Sequence, residues 1–329
     1  MRTKKQSIVF PLSALLVLIC APVVYALAAP TGPAARHVRV PVWIEDPAGA
    51  VRPAFQATVN GKAVSVVAAQ SPASDQVILI VLDLTGDPDQ IVPAKQALIA
   101  QIGKLPRNAW VGLLKAQDGL HVLADPSPDR KRIDTAIQAA TISAFAGLLD
   151  TVEPALSIAD AMLRSSPART AVLYVTDGGV ADYRDDYTNP VINRSDPHDL
   201  SRRFPEALIN DKISKLAASM NKLQPPLFIV HLKDRTGRMN QAYQNGLRTL
   251  AEATGGRVEV CRSNAEIPDA IANMFHRMSS SWSLTLALPT KVHENAQVRV
   301  SAKQGDSETR LSWRERFVVT ARRKARSRR

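Results

Sequence analysis

The sequence predicts an α/β protein, a doubly wound, mostly parallel sheet flanked by small β-elements at both ends of the chain. Three observations predict it. Short apolar, β-branched runs such as Gln76–Leu82 (Q-V-I-L-I-V-L) have no polar face, the pattern of a parallel strand covered on both sides. These runs alternate with segments of helical spacing from about residue 74 to 280. Outside that stretch the apolar residues alternate singly, the pattern of half-buried strands.

The elements follow in order. Residues 1–6 are basic and polar, and no charge occurs from Ile8 to Ala29. Ala26-Leu27-Ala28 has the small-x-small form of a cleavage site, so residues 1–28 read as a signal peptide. Uncleaved, the same stretch is long enough to serve as a membrane anchor. Either way the chain is expected to be exported: periplasmic, secreted or held at the inner membrane. Val38, Val40, Val42 and Ile44 alternate as a strand. Phe55–Val59 and Ala63–Val67 flank Asn60-Gly61, a strong hairpin signal, so residues 36–70 form an N-terminal β-element.

In the middle of the chain, strands are expected at Gln76–Leu82, Ala109–Leu114, His121–Leu123, Thr170–Val175, Leu227–Leu232 and Arg257–Val260. Helices are expected at Val92–Ile102, Ile133–Ala140, Leu148–Leu163, 205–222, Asn240–Ala253 and Ala265–Met278, with Pro93 in the first turn of the first. Past Ser280 the segments Ser281–Leu288, Gln297–Ala302 and Leu311–Val319 form a second β-element, and residues 320–329 form a basic tail.

Composition narrows the function. The 329 residues are 45% hydrophobic and 22% charged, a globular balance. Three basic residues at the N-terminus and six at the C-terminus account for most of the net charge of +12. The body is therefore near neutral and lacks the basic stripe of a nucleic-acid binder. Cys20 and Cys261 support neither a disulfide framework nor a cysteine zinc site. No G-x-S-x-G elbow, phosphate-binding Walker loop or H-E-x-x-H helix occurs.

In an open parallel sheet, ligands bind beyond the carboxyl ends of the strands. Two strands here end in aspartate: Asp83-Leu84-Thr85-Gly86-Asp87 and Thr176-Asp177-Gly178-Gly179. Converging carboxylates with a nearby hydroxyl suit a hard cation such as Mg²⁺ or Mn²⁺. The plain alternative is that each aspartate caps the helix that follows it. Asp182, Asp185, Asp186 and Asn189 form an acidic loop that suits Ca²⁺ or simply water. His121, His198 and His231 are isolated and read as structural. The basic tail suits phosphate-rich or lipid surfaces, and Asn193-Arg194-Ser195 is a glycosylation sequon only in a host with that machinery.

The order of these motifs, a strand ending in D-x-T-x-D and a later strand ending in T-D-G, resembles the metal-ion-dependent adhesion site of von Willebrand factor A domains. The V-x-V-x-V strand, the Asn60-Gly61-Lys62 hairpin and the closing strands resemble the secreted acidobacterial-type members of that group. The resemblance implies a non-enzymatic protein-interaction module whose metal ligands are Asp83, Thr85, Asp87 and Asp177, the cation recruiting an acidic side chain of a partner. It also exposes departures. Asp87 replaces a serine, and Ala146 stands where a loop threonine is expected, with Ser143 and Thr151 out of register. The site is thus expected to be degenerate. A second class is the alternative: Asp83-Leu84-Thr85-Gly86-Asp87 also resembles the nucleophile loop of haloacid-dehalogenase phosphohydrolases, with Asp83 as nucleophile and Lys233-Asp234 after a later strand.

Overall fold

The computed structural model describes residues 36–45, 53–184, 206–289, 294–304 and 307–319. The export segment, the basic tail, Asp185, Asp186, Asn189, Asn193–Ser195 and His198 lie outside the described residues. Among the described residues, no helix is long and apolar enough to cross a membrane.

The central sheet has six strands: β5 (Gln76–Asp83), β6 (Ala109–Ala116), β7 (Leu120–Ser127), β8 (Arg169–Thr176), β9 (Leu227–His231) and β10 (Arg257–Val260), in the order β10-β9-β8-β5-β6-β7. Every neighbouring pair is parallel except β6 and β7. The short strand expected at His121–Leu123 is therefore a longer antiparallel edge, returning from β6 through Asp118 and Gly119, which both adopt positive φ. Alternate side chains of β5 serve opposite layers. Ile78, Ile80 and Leu82 pack with α1 (Pro88–Lys104), α2 (Arg130–Ala139) and α6 (Ile267–Ser280). Leu79 and Val81 pack with α3 (Leu148–Ser165), α4 (Ala207–Met220) and α5 (Arg238–Thr254). Two apolar layers explain why these strands carry no polar face.

α1 begins four residues earlier than its apolar spacing suggests. Asp87 caps it, its side chain accepting from the Asp89 N–H, and Pro88 occupies the first turn, where a missing N–H costs nothing. Pro93 consequently lies inside the helix rather than at its start.

The flanking strands depart further from the sequence expectation. β1 (Arg36–Ile44), β4 (Val66–Gln70), β11 (Trp282–Leu288) and β14 (Leu311–Trp313) share one sheet, ordered β14-β1-β11-β4. β2 (Ala54–Val59), β3 (Lys62–Val64), β12 (Glu294–Gln304) and β13 (Ser307–Glu308) share another, with β15 (Arg316–Val319) paired to β12. Val40, Val59, Leu284, Val298 and Phe317 close one apolar core between the two sheets. The chain's two ends thus build one sandwich, not two separate elements. The hairpin at Asn60-Gly61 forms as expected, with φ of 49° and 76° there and Val59 opposite Lys62.

Arg169 ties the sandwich to the α/β body. It is 3% exposed, and it donates to the carbonyls of Met278, Ser279 and Ser281 on one crossing and of Pro72 and Ser74 on the other. Burial lowers its pKa to about 10. Arg169→Met keeps the stem but strips those carbonyls of their donor. We expect a loss of about 3 kcal/mol in chemical denaturation; a midpoint unchanged from wild type would show that the crossings hold without it.

Candidate functional site

Parallel pairing of β5 with β8 sets Asp83 opposite Thr176, so both aspartate-bearing turns emerge at the same edge. Asp83 is fully buried. Its Oδ1 accepts from the Gly147 N–H at 2.8 Å, and its Oδ2 accepts from the Leu148 N–H at 3.2 Å and the Thr176 hydroxyl at 2.9 Å. Those amides open α3, whose own N-cap is Gly147 and has no side chain to offer. Asp83 caps that helix from across the sheet and meets the positive end of its dipole. Burial nevertheless outweighs these donors, and with repulsion from Asp177 it raises the Asp83 pKa to about 7.

Asp177 reaches the other way. Its Oδ1 accepts from the Thr85 N–H at 2.6 Å and the Thr85 hydroxyl at 3.0 Å. Its Oδ2 accepts from the N–H groups of Gly86 and Asp87 at 3.2 and 3.4 Å. The β5–α1 turn folds around this carboxylate, with Gly86 at φ 152°. Asp87 points away. It caps α1, accepts from Gln90 Nε2 at 2.6 Å, and lies 3.7 Å from Lys233 Nζ.

The remaining expected residues serve structure. The Ser143 hydroxyl donates to the Ala116 carbonyl, and the Thr151 hydroxyl donates to the Gly147 carbonyl. Ala146 packs so closely on Gly178 that a Cβ added there would lie 2.7 Å from the Ala146 Cβ. His231 accepts from the Lys233 N–H through Nδ1 and therefore donates from Nε2 to the Gly178 carbonyl at 2.9 Å. Burial lowers its pKa to about 4, so it is neutral at physiological pH. His121 Nε2 bonds the Gln117 carbonyl on an exposed edge. Asp182 accepts from the Gly179 N–H and pairs with Arg235 at 2.9 Å. Cys261 is a buried free thiol.

Three further residues take part in this edge. Arg235 lies across Gly179 and donates to the Asp177 carbonyl at 2.6 Å. Tyr183 and Tyr243 share a hydroxyl hydrogen bond of 2.8 Å, and Tyr183 accepts from the Leu149 N–H. Their contacts join α3, α5 and the turn after β8, elements distant in sequence, so no local motif marks them.

A hard cation needs free oxygen lone pairs in octahedral array, usually with several waters. Here three of the four carboxylate oxygens of Asp83 and Asp177 each accept two donors, filling both lone pairs, and the fourth, Asp83 Oδ1, accepts one while fully buried. Asp87 is committed to α1, and Ala146 brings no hydroxyl. Among the described residues no group of three or more His, Cys, Asp or Glu is placed to hold a metal. The donor set therefore does not fit Mg²⁺ or Mn²⁺. Nor does it present a nucleophile: Asp83 is sealed beneath α3, and Lys233 sits on Asp87 instead.

No protein-family model matches the sequence, and no curated protein matches it. Solved structures do. A von Willebrand factor type A protein from Catenulispora acidiphila is 14% identical, over 86% of this chain and 74% of that one, with a TM-score of 0.42. The ArnB paralog VWA2 from Sulfolobus acidocaldarius is 11% identical over 86% and 75%, with a TM-score of 0.43. The vWF domain of the type V pili tip protein Mfa5 from Porphyromonas gingivalis is 13% identical over 62% and 94%, with a TM-score of 0.41. The chain is similar to these von Willebrand factor A proteins at 11–14% identity and TM-scores of 0.41–0.43.

Proposed function

We propose that the protein is an exported, non-enzymatic protein-interaction module that engages its partner at the carboxyl edge of the central sheet, without a bridging metal. One observation carries the reading. The loop between α2 and α3 holds two exposed apolar side chains, Ile142 (44% exposed) and Phe145 (41%), beside the aspartate turns. The loop is pinned rather than slack: the Ser143 N–H donates to the Leu84 carbonyl at 2.7 Å, and its hydroxyl donates to the Ala116 carbonyl at 3.0 Å. A fixed turn that spends two apolar side chains on solvent is suited to contact. Export rests on the charged–apolar–small order of residues 1–29.

The test is site-specific photo-crosslinking in cells that make the protein. A crosslinker at Phe145 should capture a partner in the exported fraction. One at Trp110, which is 46% exposed at the opposite end of the sheet, should not. Equal capture at both sites, or capture only from the cytoplasm, overturns the reading.

A separate expectation concerns the cation. Mg²⁺, Mn²⁺ or Ca²⁺ at millimolar concentration should leave the thermal midpoint within about 1 °C of the value in chelator, because no free oxygen set awaits them. A rise of several degrees would restore a metal-dependent site.

A further inference from the structure

Lys95 and Lys115 stand at the same edge of the sheet, one on α1 and one near the end of β6, and they converge on the end of α2. Lys95 Nζ donates to the carbonyls of Ala140 at 2.6 Å and Gln138 at 3.3 Å. Lys115 Nζ donates to the Thr141 hydroxyl at 2.7 Å. Their oxygen partners are all neutral, and among the described residues neither ammonium pairs with a carboxylate. By contrast Lys233 pairs with Asp87, Arg235 with Asp182 and Arg184 with Asp118 on the same edge. An ammonium has three donors, so Lys95 keeps one in hand and Lys115 two.

Burial lowers the pKa of Lys115, and repulsion from the charge of Lys95 adds to it. Part of the compensation is local: the carbonyls that end α2 carry the negative end of its dipole. Among the described residues the charge itself has no carboxylate counterpart. Ile142 and Phe145 follow on the same pinned loop, with the Arg184 guanidinium 5.2 Å from the centre of the Phe145 ring.

We propose that Lys95, Lys115 and the Thr141–Phe145 turn form a docking site for an acidic, apolar segment of a partner protein, its carboxylate entering between the two ammonium groups and its apolar side chains covering Ile142 and Phe145. This rests on the reading of the sheet edge as an interaction face, and it specifies the partner's chemistry. It also relieves the cation of its role, since the positive charge that an acidic partner needs is supplied by lysine. A lipid surface fits less well. Lys115 is only 5% exposed, too recessed for a plane of headgroups to meet it.

The probe is a blocked, fluorescein-labelled peptide, Leu-Asp-Leu-Glu-Phe-Asp, read by fluorescence anisotropy against the folded full chain. We expect saturable binding that weakens as salt is raised, because salt screens the approach of an acidic peptide to a basic corner. It should weaken at least tenfold in the double variant Lys95→Gln, Lys115→Met, and severalfold in Phe145→Ser, a change at an exposed side chain that leaves the core intact. Should the double variant fail to fold, Lys95→Gln alone and Phe145→Ser carry the test. Equal affinity in the variants overturns the proposal, as does equal binding of the lysine counterpart peptide or a preference for phosphatidylglycerol vesicles. If the acidic peptide does not bind but crosslinks at Phe145 persist, the lysine site falls and the interaction face stands. Loss of both removes both.

Discussion

Asp177→Ala is expected to destabilise the protein by about 4 kcal/mol and to lower its thermal midpoint by roughly 10 °C. One carboxylate accepts four hydrogen bonds from the Thr85–Asp87 turn. Each charge-assisted bond is worth about 1.5–3 kcal/mol, but bonds sharing one acceptor do not add. The larger effect is what remains: the N–H groups of Thr85, Gly86 and Asp87 lose their acceptor together, in a turn folded around it. At roughly 2–4 °C per kcal/mol for a body of this size, the midpoint shift follows. Asp177→Asn should cost about half as much, since one oxygen still accepts from Thr85 while the new amide faces Gly86 and Asp87. Denaturant melts with and without Mg²⁺ decide the matter. A variant as stable as wild type would mean that the turn holds its shape without the carboxylate. A variant destabilised only in Mg²⁺ would mean that the carboxylate serves a metal.

Asp83 produces the second large effect, through pH. Its folded pKa of about 7 lies well above the roughly 3.9 of an unfolded aspartate. The folded chain therefore takes up a proton that the unfolded chain lacks. The stabilisation from this group is complete below about pH 4 and is lost as the pH rises through 7. Three pKa steps of about 1.4 kcal/mol each make the range about 4 kcal/mol. His231 works in the opposite direction. Its folded pKa of about 4 lies below the usual 6.5, so its contribution is present above pH 6.5 and is lost as the pH falls toward 4. The two nearly offset each other in wild type over that window. In Asp83→Asn only His231 remains, so stability should rise with pH between about 4 and 6.5. The stability of the variant relative to wild type should then improve by about 4 kcal/mol from pH 4 to pH 8. Urea melts across that range measure it, and parallel curves for the two proteins would show that Asp83 does not titrate there.

The two aspartates that close the strands were legible, and so was their meeting, because adjacent parallel strands bring their carboxyl ends to one edge. Their partners were not. Asp83 bonds residues 64 and 65 positions away, and Asp177 bonds residues 90 to 92 positions away. Local sequence suggests that each aspartate caps the helix that follows it. The structure assigns Asp83 instead to the start of α3, and it leaves true local capping to Asp87. An aspartate's type shows that it wants donors. Which donors it finds depends on which helix start the sheet order sets above it.

By itself the sequence determined the parallel strands, from apolar runs with no polar face; the hairpin at Asn60-Gly61, from two residues that tolerate positive φ; and the alternation that makes the core doubly wound. Each of these is written in neighbouring residues. Only the tertiary structure decided that the first and last strands join in one sandwich, for His37 pairs with Ala287 across 250 positions. It alone also decided that the carboxylates satisfy the chain's own amides, and that Lys95 and Lys115 share one corner. These features rest on strand order and on helices crossing the sheet. The energies that select them, burial of two apolar layers and satisfaction of buried donors, belong to the whole assembly and leave no period in the local sequence.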